Sequence, residues 1–223
     1  MRETPVYISV ATEQPPLRLE ARMGLSMAST SSDAAGVVIC HPHPLYGGDM
    51  DNSVVRALQE VFYDMGWTTL RFNFRGVGGS SGRYGEGVGE VADVCAAFSF
   101  LKAKGVSRCY SAGYSFGTWV LLQSLMGQTD VDRLDVPLSG LVLVSPPVDV
   151  MNFKSLQLPH DIPSLILVGS DDCFCSIRSL QTWLGANPPN DCSVVTIADA
   201  DHFYGHRLTE LQRHVRRVVT GWS

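Results

Sequence analysis

The chain has 223 residues, a formal net charge of −5, 45% hydrophobic and 17% charged residues, which suits one well-cored domain over residues 1–223 and excludes a disordered polymer. No basic stripe marks a nucleic-acid partner, and the cluster Arg213, Arg216 and Arg217 reads as a solvated helix face. No apolar stretch follows Met1, and runs such as Gly140–Val144 are too short for a bilayer, so a cytoplasmic protein with no membrane partner is expected.

In chain order, Val6–Val10 and Leu17–Ala21 are predicted to pair as an antiparallel edge. The patch Ala28–Ala35 is read as a hairpin or strand connection. Beyond it, short β-branched, apolar runs alternate with helical patterns. The runs are Gly36–Cys40, Thr68–Phe74, Arg108–Ala112, Gly140–Val144, Ser164–Val168 and Ser193–Ile197. Their continuous apolar character suits strands buried on both faces. The predicted helices are Asn52–Met65, Glu86–Lys104, Phe116–Met126, Ser176–Leu184 and Thr209–Thr220. In the second, Val88, Val91, Val94, Cys95, Phe98 and Leu101 recur at the three- and four-residue steps of an amphipathic helix. The alternation predicts an α/β fold with a mostly parallel central sheet and helices on both faces. Ligands of such sheets bind beyond the carboxyl ends of the strands, so residues just after each strand deserve inspection.

After Arg108–Ala112 comes Gly113-Tyr114-Ser115-Phe116-Gly117, followed by an apolar helix. A strand-to-helix turn this sharp crowds its central residue and calls for glycine on either side. The turn holds the serine hydroxyl above the sheet, where the helix dipole favours developing negative charge. A serine attacks only when a base takes its proton, so an acid and then a histidine are expected further along the chain. Gly169-Ser170-Asp171-Asp172 follows one strand, and Asp199-Ala200-Asp201-His202-Phe203 follows another.

This ordered set resembles the α/β-hydrolase superfamily, and within it the small, cap-less bacterial hydrolases related to dienelactone hydrolase. The resemblance is carried by His41-Pro42-His43-Pro44-Leu45-Tyr46-Gly47-Gly48, by Asn73-Phe74-Arg75-Gly76-Val77-Gly78-Gly79-Ser80, by 113–117, by 169–172 and by Ala200-Asp201-His202-Phe203. Dienelactone hydrolase itself uses a cysteine nucleophile, whereas position 115 is serine, so activity on dienelactones does not carry over. The resemblance implies Ser115 as nucleophile, Asp172 in preference to Asp171 as acid, and His202 as base, with His206 a surface histidine. It implies an oxyanion hole built from the backbone N–H of Phe116 and a second N–H after Gly36–Cys40. Pro42 and Pro44 have no N–H, which points to His43.

His41 and His43 lack a nearby third ligand and are not read as a metal pair. The glycine-rich stretch 76–82 lacks the third glycine of a dinucleotide motif and is expected, by the resemblance, to line the nucleophile site. The six cysteines form no Cys-x-x-Cys pair and are expected to be reduced thiols, although Cys173 and Cys175 beside the acid loop leave a redox role open. Neither metal nor cofactor is expected. The segment between Gly140–Val144 and Ser164–Val168 is too short for a helical cap, which predicts a shallow, open site lined by Tyr46, Met50, Tyr114, Phe116 and Phe203. The expected function is hydrolysis of small acyl esters, the partner being a small acyl substrate. A thioesterase, a small amidase or peptidase, and a non-catalytic binding module stay open as alternatives.

Overall fold

In a computed structural model, the structure describes residues 2–25, 34–127, 134, 136–185, 189 and 191–222. Eight strands form one sheet: β1 Glu3–Val10, β2 Leu17–Gly24, β3 Ala35–Cys40, β4 Thr68–Phe72, β5 Arg108–Tyr114, β6 Leu138–Val144, β7 Ser164–Gly169 and β8 Cys192–Ile197. Their order is β1-β2-β4-β3-β5-β6-β7-β8. β1 and β2 pair antiparallel, β2 joins β4 antiparallel, and every pairing from β4 to β8 is parallel. Of the connection predicted over 28–35, residues 28–33 lie outside those described.

The helices are α1 Ser53–Asp64, α2 Val88–Ala103, α3 Phe116–Met126, α4 Ile177–Leu184 and α5 Leu208–Val219. Each predicted helix is present, shortened where its first residue caps the end. The Asn52 side chain accepts from the Val54 N–H, and the Ser176 hydroxyl accepts from the Ser179 N–H. One apolar layer packs α1 and α5 on the sheet through residues such as Leu58, Phe62, Leu211 and Val215. The other packs α2 and α3 through Val94, Phe98, Val120 and Leu121. β3, β4 and β7 are buried at every position, as two covered faces require. β8 departs from the expected pattern: it is an edge strand, and Val194 is exposed. Val88 is exposed too, since it opens α2 before the helix has settled onto the sheet.

This winding brings the carboxyl ends of β3, β5, β6, β7 and β8 to one edge. The segment 145–163 after β6 consists of turns and bends with no helix among its residues, as expected of a cap-less fold.

Candidate active site

Ser115 sits between β5 and α3 with φ 53° and ψ −121°. A non-glycine residue occupies this backbone region only under constraint. The constraint is visible: the Ser115 N–H donates to the Val144 carbonyl, and its own carbonyl accepts from the Thr118 N–H and hydroxyl. A Cβ on Gly117 would stand 2.5 Å from the Cys40 carbonyl oxygen, so the turn packs directly on the end of β3. The turn thereby lifts Oγ above the sheet.

His202 Nε2 lies 2.9 Å from Ser115 Oγ. On the other side of the ring, His202 Nδ1 is 2.9 and 3.0 Å from the two carboxylate oxygens of Asp172. A carboxylate can only accept, so Nδ1 carries the proton and Nε2 offers its lone pair to the hydroxyl. Asp172 Oδ1 also accepts from the backbone N–H groups of Phe174 and Cys175, which fix the carboxylate in place. Both side chains of the pair are almost fully buried. The loops carrying Asp172 and His202 touch at Gly169, where a Cβ would come within 2.1 Å of the Ala200 carbonyl oxygen. Asp171 is exposed, and its carboxylate accepts from the Ser170 hydroxyl. His206 is exposed, as expected of a surface histidine.

The first N–H groups of a helix have no partner inside it. Phe116 opens α3, so its N–H has no partner within the helix, and the residue lines the same cleft as Ser115. His43, on the loop after β3, lines it too. Its carbonyl accepts from the N–H groups of Tyr46 and Gly48, and its Nδ1 accepts from the Leu45 N–H. The His43 ring packs on Tyr46, Tyr84 and Phe116, and partial burial holds its pKa below the ordinary value. His41 is buried with both ring nitrogens engaged, Nδ1 with the Pro42 carbonyl and Nε2 with the Phe74 N–H, and so points away from any shared ligand with His43.

A cleft of about 730 Å³ opens beside Ser115 and His202. Tyr46, Tyr114, Phe116 and Phe203 are on its wall. Met50, expected there, is not. It is buried, its N–H donates to Asn73 Oδ1 and its carbonyl accepts from Arg71, which turns it into the protein. Residues 76–82 are not among the lining residues either. Glu20 on β2 holds that loop instead, accepting from the Gly79 N–H and the Asn73 amide. Pro147, Val150 and Met151 after β6, and Phe174 after β7, complete the walls. The sequence signal for the first three was their place just after a strand. Cys173 is exposed, whereas Cys175 is buried and its thiol pKa is raised by that burial, which keeps it in the unreactive protonated form.

A serine on a strained strand-to-helix turn after β5, with a carboxylate after β7 and a histidine after β8, is the architecture of the α/β-hydrolases. The comparisons agree. No family model matches the chain. An uncharacterized protein of Rickettsia prowazekii (strain Madrid E) is 32% identical over 206 residues, covering 89% of this chain and 82% of its own. An alpha-beta serine hydrolase homologue from Coxiella burnetii is 32% identical with a TM-score of 0.80 over 97% of either chain. An a/b serine hydrolase without lid from Xanthomonas campestris is 25% identical with a TM-score of 0.84, over 100% of this chain and 95% of its own. The chain belongs to the α/β-hydrolase superfamily and shares the fold of its lid-less serine hydrolases. The likeness carries a hydrolase of that kind and leaves the dienelactone hydrolase branch without support. Among the described residues, no helix is long and apolar enough to cross a membrane.

Proposed function

We propose that the protein is a serine hydrolase that cleaves small carboxylic esters through an acyl-enzyme on Ser115. The observation that carries this reading is the continuous line from Ser115 Oγ through the His202 ring to the Asp172 carboxylate, with both contacts at hydrogen-bond distance. As Oγ attacks the ester carbonyl, His202 Nε2 takes its proton and the C–O π bond opens to an oxyanion. Asp172 keeps the tautomer and stabilises the imidazolium. The N–H groups of Phe116 and His43 hold the oxyanion, and the imidazolium then protonates the departing alkoxide. Water repeats the sequence on the acyl-enzyme, releasing the acid and restoring the Ser115 hydroxyl.

Labelling by a fluorophosphonate, together with hydrolysis of p-nitrophenyl acetate, tests the reading. Both are expected for the wild type and both are expected to vanish in Ser115→Ala. A well-folded wild-type protein that takes no label is a binding module and overturns the proposal. A matched panel of oxygen esters, acyl-CoA thioesters and amides then ranks the acyl compounds cleaved.

A further inference from the structure

Each loop around the cleft beside Ser115 contributes an apolar side chain, and the polar side chains His43 and Asn52 that also line it carry no fixed charge. Tyr46 comes after β3, Phe116 after β5, Val150 and Met151 after β6, Phe174 after β7 and Phe203 after β8. Among the described residues lining it there is no Asp, Glu, Lys or Arg. Tyr46, Val150 and Phe203 are also largely exposed to solvent at its mouth, where an apolar side chain gains most from a ligand that covers it. Two cations, Lys154 and Arg178, line a neighbouring depression that shares Val150 and Met151 with the cleft. A carboxylate or phosphate entering the cleft loses hydration, finds no cation there, and meets the field of Asp172 behind His202.

Resting on the serine hydrolase reading, we propose that the substrates are esters uncharged on both sides of the scissile bond, with an apolar acyl or aryl group larger than acetyl. The cleft volume is in the range that encloses such a group. The test compares p-nitrophenyl hexanoate with the mono-p-nitrophenyl ester of adipic acid, whose acyl chain has the same length but ends in a carboxylate. The neutral ester is expected to have the higher kcat/KM by about 100-fold. Val150→Lys, which places a cation at the mouth, is expected to narrow that gap about tenfold by raising turnover of the adipate. Equal turnover of the two esters by the wild type overturns this proposal alone. Failure to cleave either ester, with no fluorophosphonate label on Ser115, overturns the hydrolase reading and this proposal with it.

A separate observation concerns His41. The Phe74 backbone N–H can only donate, so His41 Nε2, 3.0 Å away, must accept. The ring proton is therefore on Nδ1, which donates to the Pro42 carbonyl oxygen at 2.6 Å. That oxygen and the His43 N–H belong to one peptide unit, and in a trans peptide they point in opposite directions. Fixing the Pro42 oxygen fixes the direction of the His43 N–H. Gly48 closes the same peptide from another side: a Cβ there would stand 2.1 Å from the Pro42 oxygen and 2.5 Å from its carbon.

We infer that His41 is the positioning residue of the oxyanion hole, acting through the Pro42–His43 peptide and touching no substrate. Removing one oxyanion donor costs roughly 100- to 1000-fold in turnover. His41→Phe, with active sites counted by fluorophosphonate titration, is expected to lower kcat per site about 100-fold with KM nearly unchanged. His41→Asn, whose amide N–H can reach the Pro42 oxygen, is expected to recover much of that loss. Gly48→Ala displaces the peptide without touching His41 and is expected to reproduce the fall in kcat. Wild-type kcat per site in His41→Phe overturns the inference. Should His41→Phe fail to fold, wild-type kcat in Gly48→Ala overturns it instead.

Discussion

The Tyr114 hydroxyl donates a 2.8 Å hydrogen bond to the backbone carbonyl of His202, across 88 positions of sequence. One end of this contact is the residue before Ser115, and the other is the histidine that faces Ser115. It ties the proposed nucleophile and base to one rigid unit, and the tyrosine ring lies 5.4 Å from the imidazole. Burial, with the nearby charges of Asp172 and Asp201, pushes the phenol pKa well up, so the donor keeps its proton at alkaline pH.

Tyr114→Phe removes this donor and leaves the buried His202 carbonyl unsatisfied. A cost of about 1–3 kcal/mol in folding stability is expected. Because the base loop loses its tie to the nucleophile strand, kcat is expected to fall about tenfold while KM changes little. Urea denaturation and ester kinetics measure the two effects. Unchanged stability and kcat would show that the contact does not hold the loop.

Asp171 and Asp172 are adjacent in sequence and differ in every contact. Asp172 takes two backbone N–H groups and the His202 ring, and Asp171 faces solvent. Asp172→Asn places an amide against Nδ1 and favours the wrong tautomer, so kcat is expected to fall by up to about 10⁴-fold. Asp171→Asn is expected to stay within a factor of three. The reverse ranking in ester hydrolysis would reassign the acid.

How far the sequence reads this molecule depends on where the physical signal lies. β3, β4 and β7 are covered on both faces, so their apolar runs are continuous and stand out from the helices between them. The glycines around Ser115, and the aspartate and histidine after later strands, are local signals of the same kind. Met50 misleads because it shares a loop with Tyr46, and only the distant partners Asn73 and Arg71 pull it inward. Pro147, Val150 and Met151 carry neither titratable groups nor periodicity. Beyond their place after a strand, it is the sheet order, which sets β6 between β5 and β7, that brings them beside Ser115.

The same limit applies to Arg75 and Asp93, whose pairing no spacing announces. The guanidinium meets the carboxylate through Nε and Nη2, at 2.7 Å for the shorter contact, and the Arg75 N–H donates to the same carboxylate. Burial raises the Asp93 pKa, and Arg75 opposes that rise. The pair ties the loop after β4 to α2. Asp93→Ala leaves a buried cation with Glu13 as its one remaining carboxylate partner among the described residues, and a loss of about 3–5 kcal/mol is expected. The double variant Arg75→Met with Asp93→Leu is expected to be more stable than Asp93→Ala alone, since no charge is then stranded. Denaturant midpoints of the three proteins check the order.

Acid lability follows from His41. Burial lowers its pKa from 6.5 to about 4, outweighing the support of the Pro42 carbonyl. Below pH 6.5 the unfolded chain binds a proton at this histidine that the folded chain refuses until about pH 4, so stability falls as pH drops through that window. The shift corresponds to roughly 3 kcal/mol lost between pH 7 and pH 4. His43 and His214 are also shifted downward by burial and act in the same direction. Urea titrations at pH 7, 5.5 and 4.5 are expected to show this decline for the wild type, and His41→Asn, which has no titrating ring, is expected to show a shallower one. If the two proteins decline in parallel, the buried imidazole is not the group that acid attacks.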